Sequence, residues 1–124
     1  MSDQRDDELQ HLWEHIAKVY LVIVASCSGL PIPIGLPIGV VTNLEMVPAV
    51  RRVVHIADDQ PIPEQHQVNL SIGCTHWLAA VDLYGLLVGE EFDRVRVLGL
   101  LSNLTMAEEA LRDLLNWLAS QSEE

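Results

Sequence analysis

The chain has 124 residues, 49% apolar and 20% charged, with 18 acidic against 7 basic side chains and a net charge of −11. That is the size and composition of one globular domain over 1–124, with residues 1–5 and 120–124 expected to fray. So acidic a surface repels phosphate, which argues against nucleic-acid binding and anionic membranes and favours a soluble chain with a basic partner.

The N-terminal segment predicts a helix. Leu9, Leu12, Trp13, Ile16, Tyr20, Ile23, Val24 and Cys27 recur at three- and four-residue spacing. Ser2 or Asp3 can cap it, and Gly29 with Pro31 stops it. Its β-branched second half leaves a strand as the alternative. Residues 1–8 are acidic, unlike a secretory signal. No charge occurs from Val19 to Leu44, long enough to span a bilayer. Three prolines and three glycines break its second half, so it reads as an apolar loop instead.

The loop GLPIPIGLPIG (29–39) carries Gly-Leu-Pro-Ile twice. Each Pro pins its own φ and extends the residue before it. A proline-recognition ligand is the functional reading, and an apolar loop packed on the core is the plain one.

Residues 40–47 and 50–57 read as strands, with Pro48 bending the chain between them. Asp58, Asp59, Gln60 and Pro61 supply a turn. Residues 67–72 alternate polar and apolar, which predicts a strand ended by Gly73. Thr75 caps an expected helix from His76 to Val88, closed by Gly89. Arg94-Val95-Arg96-Val97 opens a strand to about Leu101. Thr105 and Glu108 form a capping box before a last helix through Leu111, Leu114, Leu115 and Leu118. The order is α-β-β-β-α-β-α. The expected fold class is α+β, an antiparallel sheet flanked by N-terminal, central and C-terminal helices.

Candidate chemistry is sparse. His11-Leu12-Trp13-Glu14-His15 fits H-x-x-E-H, a zinc-hydrolase pattern. No second helix offers a clear third ligand, so a solvated helix face is the plainer reading of His11, Glu14 and His15. Cys74, His76 and Asp82 suggest a thiol with a base at a helix start. A buried structural Cys is the plainer reading there. His55 and His66 could face each other across a hairpin as a metal or pH-sensing pair. No Walker loop, dinucleotide fingerprint, nucleophile elbow or calcium loop is present. Two cysteines 47 residues apart make no disulfide framework, and a reducing cytoplasm is the default compartment.

The segment RVRVLGLLSNLTMAEEALRDLLNWL (94–118) resembles the tail of class I type III secretion chaperones. GLPIP at 29–33 after a first helix, then a strand meander and two helices, is similar to that fold as well. The resemblance implies a homodimer without catalysis that holds a secreted protein's N-terminal segment extended along apolar patches. Roadblock-type dimer modules are a rival resemblance through GLPIP, and they require a helix over 42–59, which Pro48 opposes.

The sequence therefore points to a non-enzymatic, homodimeric, protein-binding module without catalytic residues or cofactor. Its partner is a basic or partly unfolded protein, met at Ile32, Ile34, Leu36 and Ile38 in the loop and at Trp77 and Trp117. A small metal- or thiol-dependent enzyme and an acidic inhibitor that mimics nucleic acid are the alternatives.

Overall fold

A computed structural model describes residues 2–40 and 43–122; the side chains of Ser2, Asp3 and Asn43 lie outside the description. The expected cap at Ser2 or Asp3, Val41 and Thr42 of the 40–47 segment, and Met1, Glu123 and Glu124 thus fall outside the described residues.

Four α-helices and one short 3-10 turn make up the described secondary structure. They are α1 (Ser2–Ser28), α2 (Asn43–Ile56), the 3-10 turn Ala57–Asp59, α3 (Glu64–Gly89) and α4 (Arg94–Ser122). Among the described residues there is no strand, so the expected α+β sheet gives way to an all-helical fold. The strand meander that the chaperone resemblance implies is replaced by α2 and α3.

Each misread strand hides a helical stripe. In α2, Met46, Val50 and Val53 are buried at three- and four-residue steps, continued by Ala57 at the start of the 3-10 turn, while Arg51, Arg52 and His55 face water. Pro48 does not bend two strands. It lies inside α2, its fixed φ suits the helix, and it forgoes only a bond to the carbonyl of the exposed Leu44. The alternation at 67–72 is coincidental, because Val68 and Ile72 are exposed while Leu70 is core. Gly73 continues α3 rather than ending a strand, and the helix expected to start at His76 is already three turns old there. Val97, Leu100, Leu104, Ala107, Leu111 and Leu114 form one buried face of α4. The Thr105–Glu108 capping box therefore sits in mid-helix, and Glu108 bonds to another helix instead.

The first helix forms as its spacing predicts and ends before Gly29. It packs on both α3 and α4, and α2 packs on α3. Trp77, fully buried, donates its indole N–H to the Ile16 carbonyl at 2.9 Å and stitches α3 to α1. Helices α3 and α4 run antiparallel. Their register is set by Gly73 against Leu111, His76 bonded to Asn103, Asn69 bonded to Asp113, and His66 stacked on Trp117.

The uncharged stretch 19–44 does not form one span; its first part ends α1 and its second is loop. The one described helix long and apolar enough to cross a membrane is α3, with a mean hydropathy of 1.3 in its best window, a third of which is buried in the fold.

Candidate functional site

The proline loop is a braced structure. Gln60, 4% exposed, accepts from the Ile32 N–H (3.2 Å) and donates to the Ile32 carbonyl (2.7 Å), pairing as a neighbouring strand would. Gln67 holds Gln60 in place by donating to its carbonyl at 2.9 Å. Tyr20 reaches from α1 to donate its hydroxyl to the Pro37 carbonyl at 2.6 Å. The Ile34 N–H donates to Cys27 O at 3.1 Å. Gly39 then turns the chain at φ +92°, a conformation costly for any residue with a Cβ. Leu30 is fully inside, and Ile34 and Leu36 pack half-buried on the core.

This bracing shapes an open cleft of about 230 Å³ between α1, the loop and α2. Trp13, Ala17, Tyr20 and Leu21 line it from one face of α1, Ile38 and Gly39 from the loop, and Met46 from α2. Its floor is Tyr20 and Met46, both buried. Its lip is Leu21 and Ile38, exposed at 59% and 66%. Val40 and Leu44, next to the lining residues in sequence, are more exposed still. Trp13 is propped by Tyr84 with ring centroids 5.4 Å apart, and Tyr20 by Trp77 at 5.5 Å. Burial raises the Tyr20 hydroxyl pKa above its usual value, with the Cys27 and Glu45 charges adding to it.

The expected contact residues divide. Ile32 and Ile38 are exposed, and Ile38 lines the cleft. Ile34 and Leu36 serve mainly the core. Trp77 is wholly core and unavailable to a partner, because a helix that is apolar all round turns its largest ring inward. Trp117 is half-buried, stacked on the buried His66 at 4.8 Å on another part of the molecule. Trp13, Tyr20, Leu21 and Met46 complete the cleft and were not expected there. The 13, 17, 20, 21 spacing on α1 is their only sequence signal, and it reads equally as core.

The H-x-x-E-H triplet does not assemble. His11 donates from Nδ1 to the Asp7 carbonyl at 3.0 Å, and Glu14 accepts from Gln10 at 3.2 Å. His15 turns to α4 and donates from Nε2 to Glu108 at 2.8 Å, since a carboxylate only accepts. Among the described residues, no three of His, Cys, Asp and Glu gather as metal ligands. The thiol reading also loses its geometry. Cys74 is fully buried and its pKa is raised, first by burial and then by Cys27. His76 donates instead to Asn103 Oδ1 at 2.7 Å. Nor do His55 and His66 face each other across a hairpin: His55 is exposed on α2 and His66 is buried on α3.

No family model, curated protein or solved structure matches the chain.

Proposed function

We propose that this chain is a non-enzymatic protein-binding module, an adaptor or chaperone that holds an apolar segment of a partner in the cleft between α1 and the proline loop. The observation that carries the reading is the cleft itself: an apolar floor and an exposed apolar lip, held open by a loop with its own hydrogen bonds. A preformed concave apolar site takes a ligand at low ordering cost. About 230 Å³ corresponds to roughly eight waters at about 30 Å³ each, and a large aliphatic or aromatic side chain can displace part of them. Burying such a side chain contributes about 1.5–3 kcal/mol. The net charge of −11 attracts partners whose flanks are basic and speeds their encounter.

The test uses a fluorescein-labelled peptide of alternating Leu and Lys, with a Lys-only peptide of equal length as control. Binding of the Leu-Lys peptide should quench or blue-shift Trp13 emission. Leu21→Asp and Ile38→Asp should each weaken it at least tenfold. Equal binding of the Lys-only peptide, or full binding by both variants, would reduce the interaction to charge alone and defeat the proposal.

A further inference from the structure

The walls of the α1 cleft carry hydrogen-bonding groups, and these divide into engaged and free. The Tyr20 hydroxyl is engaged with the Pro37 carbonyl, and the Trp77 indole behind it with Ile16. Trp13 differs. Its indole N–H has no hydrogen-bond partner among the described residues, although the ring is half-buried and held against Tyr84. No buried side-chain nitrogen or oxygen among the described residues lacks a partner, so this N–H opens to water. The loop shows the same division. Ile32 has both backbone groups tied to Gln60, and Ile34 has its N–H tied to Cys27. Ile38 and Gly39, which line the cleft, leave their backbone N–H and C=O groups without partners among the described residues.

Local charge does not choose the occupant. Glu14 and Lys18 adjoin the lining residues Trp13 and Ala17 on α1, and Glu45 adjoins Met46 on α2, so both signs occur at the border. Hydrogen bonding does choose. A ligand that covers an open donor must answer it, because a desolvated donor without an acceptor is worse off than one in water. Peptide groups inside a helix are already bonded to one another, so a helical occupant would cover the Trp13 N–H with side chains alone. An extended segment has free carbonyl and N–H groups to offer, and its side chains alternate in direction. One side chain then fills the cleft while its neighbours point to water, where Lys or Arg is tolerated. Volume agrees: about 230 Å³ suits one large side chain, not the row at i, i+3, i+4 and i+7 by which a helix docks.

We infer that the cleft takes its partner as an extended, non-helical segment, with one apolar side chain on the Tyr20–Met46 floor and a main-chain carbonyl of the segment accepting from Trp13 Nε1. The free backbone groups of Ile38 and Gly39 pair with the segment's neighbouring peptide groups. This rests on the reading of the cleft as a partner site and adds how the partner is recognised. Trp13 answers the main chain, which every sequence shares, so the cleft accepts many apolar segments and rejects the same residues when they are wound into a helix.

Fluorescein anisotropy measures binding of three probes to the full chain, with circular dichroism as the folding control. They are the alternating Leu-Lys peptide, the same peptide with its peptide bonds replaced one at a time by esters, and a hydrocarbon-stapled helix of equal Leu and Lys content. The parent peptide should bind, and the stapled helix about tenfold more weakly. An ester carbonyl is the poorer acceptor, so one ester position should weaken binding about fivefold. Trp13→Phe keeps a ring against Tyr84 and removes the N–H. It should weaken the parent about fivefold, and the sensitive ester should then cost nothing further. An ester effect that persists unchanged in Trp13→Phe means that Trp13 acts through packing alone, and it overturns the inference. So does a scan in which no ester matters. A stapled helix that binds as tightly as the parent overturns it too, while leaving the cleft as a partner site. If none of the probes binds, the inference and that reading fall together. Should Trp13→Phe lose its helicity, the ester scan and the stapled helix decide on the wild type.

Discussion

Gln60 lies in a turn by its sequence neighbours, yet it is buried and its side chain closes two bonds on one residue of the proline loop. Removing the amide strands the Ile32 N–H and carbonyl. Gln60→Leu is expected to lower the unfolding free energy by about 1–3 kcal/mol in urea titration, and to weaken the peptide binding that depends on the braced loop. The two cysteines make a second residue-scale prediction. Burial pushes the Cys27 pKa up to about 12, and that of Cys74 higher still. Both thiols hold their protons at neutral pH, so alkylation by iodoacetamide should be slow in the native chain and fast in denaturant. An acid whose folded pKa is raised contributes stability that is complete below its unfolded value, near 9. That stability is lost as the pH climbs through the folded value. The melting temperature should therefore fall between pH 9 and 12, and Cys27→Ala should fall less steeply than the wild type.

Between elements, the α3–α4 contact depends on one missing Cβ. A methyl at Gly73 would lie 2.6 Å from Cγ of the fully buried Leu111. Alanine is the better helix former by about 1 kcal/mol, but overpacking costs about 1–3 kcal/mol, so Gly73→Ala is expected to destabilise. Leu111→Ala alone should cost about 2–5 kcal/mol through the cavity it leaves. Combined, the two should be non-additive, with Gly73→Ala neutral or stabilising once Leu111 is gone. A double-mutant cycle in urea measures that coupling, and an additive result would mean that the helices are not in contact there. The same element shows how a sequence misleads. Gly73 and Thr75 look like a strand end and a helix cap, and both lie inside one long helix.

At the scale of the whole molecule, the acids repel one another and few are neutralised locally. The Arg94–Glu8 and Arg96–Glu90 pairs are long, at 3.3 and 3.4 Å, and largely in water, where each contributes about 0–1 kcal/mol. Self-repulsion outweighs them. Raising NaCl from 10 to 500 mM should therefore raise the melting temperature, whereas a net loss would mean that the surface pairs dominate.

The sequence by itself determined the first helix, the stiff apolar character of 29–39 and the leucine face after Thr105, because each rests on local spacing or on proline geometry. It also singled out Ile38, which the structure places on the exposed lip of the cleft. The remaining helices were hidden, because Val, Ile and Arg in short runs satisfy period 2 and period 3.6 together. Only burial by distant partners separates them: Val50 and Val53 belong to the core, and Val54 does not belong to its innermost layer. The cleft was equally out of reach. Trp13, Tyr20, Leu21 and Met46 become a site only where α1, the loop and α2 converge. That convergence is set by Gln60, Tyr20 and Trp77 through bonds across 17 to 61 residues of chain, a range that no local pattern records.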